Sequence, residues 1–482
     1  MGQNLSFHWG VLLVVSLATF ILVIDTTIME VSISALVNDL NIQFSTIQSI
    51  ITISTLIKAA FMLTGAKLQD LIGRKRTFMV GAAIYGVGTI LAVFSQDAAM
   101  FLMGWSILEG IGTVMILPAT TTFITGTYLG KERAFAFGIW GGIAAAASIF
   151  GLIVGGYLTT FYTWRLAFAL ELVILFIIFA MHRVLKETRP TISWKSFDLW
   201  GVFLSVSGLI ALVLGILMIK KPSEWMIIPF LIAGGIILLI GFNAWERRQI
   251  RKAKITLVDV TIVSQRSFFT GNVIAIGQKF ISAGFIFIFP LFYEIVTGAT
   301  AYETGIALLP MSLSIVVFSI LGARLISWLR PKYVLLGGIV LTGAGLAALK
   351  DVFSLTTTAN DIIPGCLLFG AGLGAILSQV TNLTLSSIES ERQTDASGIY
   401  NTARQLGSSL GTAIIGIVLA IGFVHGLFSD KPLSLPPGKP LLSLGISEAA
   451  VNLGMEWAFI AMILTVICMF VAGIFLNVKS FD

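Results

Sequence analysis

Charged residues are scarce in this sequence, since only 11% of its 482 residues are Asp, Glu, Lys or Arg. A soluble domain carries about 25% charged residues, so this chain has too few to cover a water-facing surface. Hydrophobic residues make up 57% of the chain, and it also contains 48 glycines. This composition excludes an ordinary soluble domain and predicts a bundle of membrane-spanning helices.

Histidine and cysteine are rarer still, with three and two copies. Cys366 and Cys468 both lie in long apolar runs, a placement that indicates neither a disulfide framework nor a metal site. No nucleophile motif or metal-ligand spacing accompanies His8, His182 and His425. We therefore expect a protein that is not an enzyme and that needs no metal and no other bound cofactor.

Long apolar segments fill most of the chain when it is scanned with a window of about 19 residues. They lie near residues 9–36, 45–66, 77–96, 99–125, 134–160, 164–184, 198–219, 225–245, 268–294, 301–326, 333–353, 361–388, 394–424 and 455–477. Strands of an outer-membrane barrel would instead alternate polar and apolar residues over about 10 residues. The sequence predicts an all-α polytopic membrane protein with 14 transmembrane helices.

The positions of the basic residues fix the predicted orientation. If the N-terminus is cytoplasmic, 21 of the 30 Lys and Arg fall on cytoplasmic loops, and six fall on outer loops. The remaining three, Lys58, Lys279 and Arg404, lie within helices. Loops on the cytoplasmic side of a membrane are rich in Lys and Arg. We expect a cytoplasmic membrane protein with both termini in the cytoplasm, a lipid bilayer around it and no nucleic-acid partner.

Short motifs recur in the same order, 257 to 260 residues apart. Gly65–Leu68 recurs at Gly322–Leu325, Gly110–Gly112 at Gly370–Gly372, and Ala136–Trp140 at Ala396–Tyr400. The repeats predict a six-helix bundle over 1–190, two linker helices in 191–255 and a second six-helix bundle over 256–482. Two parallel halves with a site between them are typical of secondary transporters.

Three stretches of this sequence resemble the motifs of a known family. Residues 66–75 read Ala-Lys-Leu-Gln-Asp-Leu-Ile-Gly-Arg-Lys, residues 24–34 read Ile-Asp-Thr-Thr-Ile-Met-Glu-Val-Ser-Ile-Ser, and residues 396–411 read Ala-Ser-Gly-Ile-Tyr-Asn-Thr-Ala-Arg-Gln-Leu-Gly-Ser-Ser-Leu-Gly. Together they resemble the 14-helix drug:proton antiporters of the major facilitator superfamily. The resemblance implies a two-bundle fold and a transporter that expels amphipathic organic compounds in exchange for protons. We expect the protein to act as a monomer.

The chain also departs from the motifs of that family. Ser106 and Glu109 occupy the positions of an Arg and a Gln in the fourth helix, and residues 151–156 lack the Pro of the antiporter signature. Glu30 in the first helix and Glu171 in the sixth each replace an Asn. The resemblance therefore favours transport more firmly than it favours antiport.

Ionisable groups at bilayer depth are costly and mark functional sites by default. At about 1.5 Å per residue from each helix centre, six such groups lie near the midplane or within a few turns of it: Asp25, Glu30, Lys58, Glu109, Glu171 and Lys279. Asp25 and Glu30 are about 140° apart around a helix, so both cannot face one cavity. We predict that Asp25 carries the proton, with help from Lys58, Glu109 or Glu30.

Each of these residues also has a structural alternative. Asp25 would pack against Ser or Thr, Lys58 would form a permanent salt bridge to Asp25, and Glu109 would be a protonated packing acid. Glu171 is either a charge partner or, more simply, a packing residue on a peripheral helix. Lys279 would neutralise an acid or receive an anionic substrate group, unless it extends towards the membrane surface.

The charged loop after the second helix has a different predicted role. Its residues Asp70, Gly73, Arg74, Lys75 and Arg76, together with Arg404 of the late motif, are candidates for a conformational latch. Interhelical ion pairs can hold one of two conformations, and glycine suits a tight turn. A topology signal on the loop and a packing ion pair at Arg404 are the simpler alternatives.

These observations predict a secondary transporter with a proton as its coupling ion, and the resemblance implies that it expels amphipathic organic compounds. Alternating access would come from rocking of the first six predicted helices against the last six. The alternative is a proton-coupled transporter of an organic anion that uses Lys58 and Lys279. A membrane sensor that transports nothing is a less favoured interpretation than either transporter.

Overall fold

The computed structural model describes residues 8–218, 226–297, 301–326, 328–350, 352–353, 357–427 and 448–476. Across these residues the chain is helical and contains no strand. The all-α class predicted from the apolar segments is therefore confirmed.

The first half of the molecule comprises six helices. They are α1 (Trp9–Asp39), α2 (Phe44–Ile72), α3 (Arg74–Val93), α4 (Ala98–Thr127), α5 (Gly130–Phe161) and α6 (Trp164–Ala180). Two further helices follow, α7 (Leu199–Met218) and α8 (Ile228–Arg251). Each of these eight helices overlaps one predicted apolar segment.

The second half repeats the pattern. Its helices are α9 (Arg266–Thr297), α10 (Ala301–Ala307, continued as Leu309–Leu325), α11 (Pro331–Lys350), α12 (Ala359–Leu385), α13 (Gln393–Leu427) and α14 (Glu448–Phe475). Within the described residues, 12 helices are long and apolar enough to cross a membrane. That set leaves out α6, which has 17 residues, and α13. The count of 14 spans is not confirmed and stays a prediction.

Two helices contain a wider π-helical turn, at Leu102–Leu108 in α4 and at Gly151–Gly155 in α5. In α5 the glycines of this turn face α1. A Cβ at Gly155 would lie 2.9 Å from Ile28 Cγ1, and Gly151 lies against Thr27. Small residues let helices approach closely in a membrane.

The two halves meet along a seam formed by α2, α4 and α5 on one side and α10, α12 and α13 on the other. Gly138 of α5 packs against Ala323 of α10. Reciprocally, Gly398 of α13 packs against Ala66 of α2, where an added Cβ would lie 2.8 Å from the alanine Cβ. These two glycine contacts lie towards the end of the bundle that carries residues 66–76, which we call the basic end. Nearer the opposite end, Gly305 of α10 lies beside Leu152 of α5.

The helices α7 and α8 pack mainly on each other. Of the two, α7 also contacts α2 and α13, so it lies beside the seam. The predicted limits of the linker pair at 191 and 255 and of the bundles on either side stay predictions.

Candidate functional site

A buried ion pair lies inside the first half, where α1, α2 and α4 meet. Lys58 Nζ of α2 is 3.8 Å from Asp25 Oδ2 of α1, and Asp25 is 1% exposed. Trp105 of α4 donates its indole N–H to Asp25 Oδ1 at 2.5 Å. The Lys58 ammonium also lies 5.5 Å from the centroid of the Trp105 ring. The structure therefore brings together the acid and the lysine that the sequence placed at similar depths.

Two more carboxyl groups complete this site, which we call the carboxyl cluster: Asp25, Glu109 and Glu171. One oxygen from each carboxyl lies within 4.8 Å of the others, and all three side chains are buried. Tyr85 of α3 donates its hydroxyl to Glu171 Oε2 at 2.8 Å. Both oxygens of Glu109 lack a hydrogen-bond partner within the described part of the chain.

Close packing of α3 on α4 positions Glu109. A Cβ at Gly88 would lie 2.7 Å from the Gly104 carbonyl oxygen and 2.9 Å from Glu109 Cγ. These two glycines let the helices cross at backbone contact, which presses the Glu109 side chain against α3. One turn earlier, Ser106 donates to the Ile50 carbonyl at 2.7 Å, so the position held by Arg in the resembled family ties α4 to α2 here.

The cluster combines three acids with one ammonium. Carboxylates this close in a low-dielectric interior cannot all be ionised, because their mutual repulsion is compensated here by Lys58 alone among the described basic residues. The protons of such a set belong to the group as a whole. Chemically, the arrangement can take up or release a proton and redistribute the remaining charge around Lys58.

The carboxyl cluster is also the place where a small cation could fit, since three ligand oxygens are close to one point. The ammonium of Lys58 already supplies positive charge at its edge, 3.8 Å from Asp25. We predicted no metal and no cofactor, and both statements stay predictions.

Glu30 and Lys279 do not join the carboxyl cluster. Glu30 lies five residues after Asp25 on α1, and its side chain is exposed whereas Asp25 is buried. This agrees with the expected angle between them. Lys279 on α9 is half-buried, and within the described residues no carboxylate forms an ion pair with it.

Arg404 of α13 lies at the seam. Its guanidinium carbon is 5.7 Å from the centroid of the Trp140 ring of α5 and 5.6 Å from that of Tyr400. Trp140 in turn donates its indole N–H to Thr19 of α1 at 2.7 Å. Arg404 therefore links the halves through aromatic faces, where the sequence had suggested an ion pair.

The loop between α2 and α3 is anchored within its own half. Gly73 has a φ of 97°, which favours glycine. The backbone N–H groups of Lys75 and Arg76 donate to the two carboxylate oxygens of Glu187 at 3.0 and 3.1 Å. The Arg74 guanidinium carbon lies 5.6 Å from the centroid of the Phe123 ring. In this conformation residues 73–76 cap the start of α3, and their hydrogen bonds and ring contact among the described residues lie within the first half.

Another residue of the loop motif, Lys67, forms an ion pair across the seam. Lys67 Nζ lies 3.0 Å from Asp395 Oδ1 of α13 and 3.2 Å from Asp70 Oδ2. Asp395 Oδ2 also accepts the backbone N–H of Asp259 at 2.9 Å, and Asp259 pairs with Arg392 at 2.8 Å. Sequence analysis counted Lys67 as a loop charge and missed Asp395, although the acid stands one residue before the recurring Ala396–Tyr400 motif.

Comparisons with known proteins agree with this architecture. The puromycin resistance protein pur8 of Streptomyces alboniger is 26% identical over 85% of this chain and 82% of its own length. The tetracenomycin C resistance and export protein of Streptomyces glaucescens is 27% identical over 92% of this chain and 82% of its own length. The crystal structure of the human organic anion transporter MFSD10 aligns with a TM-score of 0.64 at 11% identity, covering 97% of this chain and 99% of MFSD10.

A family profile also matches the amino-acid sequence, over most of its length. The profile described as Major Facilitator Superfamily matches residues 15–198 and again residues 198–412. The first match covers most of α1–α6, and the second runs from the start of α7 into α13. This multi-pass membrane protein therefore belongs to the Major Facilitator Superfamily.

Proposed function

We propose that the protein is a proton-coupled exporter of amphipathic organic compounds in a bacterial cytoplasmic membrane. The observation that carries the proposal is the buried Asp25–Lys58 pair, at 3.8 Å, beside two further carboxyl groups. An ion pair in a membrane interior is retained against a desolvation cost of several kcal/mol per ion. A site of this kind is a functional hypothesis by default.

Proton uptake at Asp25 would change how the helices pack. A neutral Asp25 no longer compensates the Lys58 ammonium, which then interacts better with the remaining carboxylates of the carboxyl cluster. Lys58 belongs to α2, whereas Glu109 belongs to α4 and Glu171 to α6. Moving the ammonium between them favours a different arrangement of these helices.

Two of these helices lead directly from the cluster to the seam. On α2, Lys67 follows Lys58 by nine residues, or roughly 13 Å along the helix axis. On α4, Thr121 follows Glu109 by 12 residues, roughly 18 Å, and its hydroxyl bonds Ser397 of α13. A small rotation of α2 or α4 at the cluster therefore acts on contacts between the halves.

The seam contacts suit alternating access. In the observed conformation the halves are held together at the basic end by Lys67–Asp395 and by the two glycine contacts at Gly138 and Gly398. If the basic end is cytoplasmic, as the charge distribution predicts, this conformation is closed to the cytoplasm. Rocking of α1–α6 against α9–α14 would open it on that side.

The substrate class rests on the relatives, one of which is named for resistance to puromycin and another for resistance to and export of tetracenomycin C. The alternative, an organic anion bound by Lys58 and Lys279, is less favoured because Lys58 is already paired with Asp25. A non-transporting sensor is less favoured because the resistance relatives match most of the chain.

A flux assay in proteoliposomes tests the proposal. The protein is reconstituted, a pH gradient is imposed, and the flux of amphipathic cations, neutral compounds and anions is measured for the wild type and for Asp25→Asn. We expect the wild type to accumulate cations or neutral compounds against their gradient. The Asp25→Asn variant should retain downhill flux and lose the pH-driven accumulation, because the titrating group is gone.

The matched control is Asp97→Asn. Asp97 accepts a hydrogen bond from the Met100 N–H at the start of α4, far from the carboxyl cluster, so its loss should leave coupling unchanged. Accumulation that remains pH-driven in Asp25→Asn would contradict the role of Asp25. Flux restricted to anions and abolished by Lys279→Ala would favour the anion transporter instead.

A further inference from the structure

An apolar groove of about 600 Å³ lies on the outside of the seam at the basic end. Its walls come from both halves. Lys131 and Phe135 belong to α5, whereas Phe318, Leu321 and Arg324 belong to α10. Among the described residues that line the groove, Lys131 and Arg324 are the charged ones, so its described lining is apolar with a positive rim.

The order of the lining residues along each helix matches the order of groups in a phospholipid. Lys131 is the second residue of the span Gly130–Phe161, and Arg324 is the last but one of the span Tyr302–Leu325. Both cations therefore lie at the membrane surface, at the level of lipid phosphates. Phe135 and Phe318 lie deeper by roughly 6 and 9 Å along their helices, at the level of acyl chains.

Two exposed side chains at the groove support a lipid occupant. Trp328, just beyond the end of α10, is 88% exposed, and Leu321 is 42% exposed. Tryptophan is enriched at the boundary between membrane and water, where its ring is amphipathic. Basic pockets between helices at such a boundary bind anionic lipid headgroups.

We propose that this groove binds one anionic phospholipid, with its phosphate between Lys131 and Arg324 and an acyl chain along Phe135, Phe318 and Leu321. The bound lipid favours the conformation closed at the basic end. Ala323, which lines the groove, is also the residue that packs on Gly138, and Ser319 one turn away donates to the Gly138 carbonyl at 2.8 Å. A lipid that contacts α5 and α10 together binds best while these helices touch.

Native mass spectrometry of the purified full-length protein in detergent tests lipid binding. Phosphatidylglycerol and phosphatidylcholine with identical acyl chains are added in turn to the wild type, and the fraction of protein that retains lipid is measured. We expect preferential retention of phosphatidylglycerol. Lys131→Gln/Arg324→Gln should reduce its apparent affinity by roughly tenfold or more, since each basic residue near a membrane surface contributes appreciably to anionic-lipid binding.

The matched control is Arg183→Gln/Arg251→Gln, which removes two exposed charges from other segments and should retain phosphatidylglycerol. If the double variant at the groove does not fold, the exposed Lys131→Gln single variant answers the same question. The proposal would be overturned if the wild type retained both lipids equally or if the control variant lost phosphatidylglycerol as strongly as the groove variant. Displacement of bound phosphatidylglycerol by millimolar inorganic phosphate would also overturn it.

A second measurement tests whether the lipid stabilises the folded protein through this groove. Phosphatidylglycerol should raise the thermal unfolding midpoint of the wild type more than phosphatidylcholine does, since a ligand stabilises the state that it binds. The groove variant should lose that difference. A difference that survives in the groove variant would mean that the lipid acts elsewhere. Neither measurement depends on proton coupling or on the substrate, so this inference can fail while the proposed function stands.

Discussion

At the scale of single residues, the buried pair of Asp25 and Lys58 is the most informative feature. Asp25 is 1% exposed. Its carboxylate accepts the Trp105 N–H at 2.5 Å and lies 3.8 Å from Lys58 Nζ, so it is held from two sides. Charge removal from one partner leaves an uncompensated charge in a low-dielectric interior, whereas removal from both does not. The pair should therefore behave as one energetic unit.

The first prediction follows from this coupling. Lys58→Gln alone should destabilise the protein by about 3 kcal/mol, and Lys58→Gln/Asp25→Asn should recover most of that loss. The measurement is the unfolding free energy or thermal midpoint in detergent for both single variants and the double variant. In Lys58→Gln the loss should shrink at acidic pH, because protonation of Asp25 removes the unpaired charge.

Additive losses in the double variant would show that the two residues do not interact. A loss in Lys58→Gln that grows as the pH falls would likewise contradict the pairing. Glu30→Gln is the control on the same helix, since the Glu30 side chain is exposed and its change should alter stability little.

Sequence analysis could place Asp25 beside Lys58 because depth along a helix follows from counting residues. It could not show that Glu171 faces the same point, because rotation of α6 about its axis cannot be read from its nearly uniform apolar sequence. Tyr85 and Trp105, which bond Glu171 and Asp25, were missed for the same reason. Large aromatic side chains in apolar helices carry no local signal that separates a hydrogen-bonding ring from a packing ring.

At the scale of helices, the crossing of α3 and α4 determines where Glu109 lies. Gly88 and Gly104 face each other, and a Cβ at either position would meet backbone atoms of the other helix at 2.6 to 2.7 Å. Hydropathy located both helices to within a few residues of their observed limits. It could not detect the π-helical turn of Leu102–Leu108, which changes the face that α4 presents, because the hydrogen-bond register of a turn leaves no mark in composition.

The second prediction concerns this crossing. Gly88→Ala should separate α3 from α4 and lower stability by about 1 to 3 kcal/mol, because its Cβ would lie 2.7 Å from the Gly104 carbonyl and 2.9 Å from Glu109 Cγ. The thermal unfolding midpoint and the pH-driven flux report the two consequences. We expect both to fall.

Gly86→Ala on the same helix is the matched control. Its nearest neighbour would be the flexible end of Leu175 at 3.3 Å, so stability should stay unchanged or rise slightly with the better helix propensity of alanine. Equal losses in the two variants would mean that the effect comes from α3 itself and not from its contact with α4.

At the scale of the whole molecule, the two halves contact each other reciprocally. Ala66 corresponds to Ala323 in the sequence repeat, and Gly138 corresponds to Gly398. Across the seam, Gly138 packs on Ala323, and Gly398 packs on Ala66. The repeat in the sequence predicted two parallel halves, and the contacts show that matched residues exchange partners between them.

The ion pair between Lys67 and Asp395 has no such reciprocal partner. Arg324 matches Lys67 in the repeat, but the position that matches Asp395 is Phe135, which carries no charge. The repeat alone therefore could not have indicated this pair, because only one of the two halves supplies the acid. A contact between distant segments with no counterpart in the repeat becomes visible only when the helices are placed in space.

The third prediction tests whether that pair holds the basic end closed. Asp395→Asn removes the charge that Lys67 meets at 3.0 Å across the seam, and a hydrogen bond between charged groups contributes about 1.5 to 3 kcal/mol. The closed conformation should therefore lose population. A Thr121→Cys variant in a Cys468→Ser background places a cysteine at a buried position of the seam. Its reaction with a maleimide in detergent should be roughly tenfold faster in Asp395→Asn than with Asp395 intact.

Glu187→Gln separates this effect from a general loss of charge at the basic end. Glu187 accepts the N–H groups of Lys75 and Arg76 at 3.0 and 3.1 Å, and these contacts stay within the first half. Its loss should therefore leave the labelling rate unchanged. Equal acceleration in both variants would show that loosening of the basic end, and not the bond between the halves, exposes position 121. No acceleration in Asp395→Asn would show that this ion pair does not hold the basic end closed, because the other contacts across the seam would then suffice.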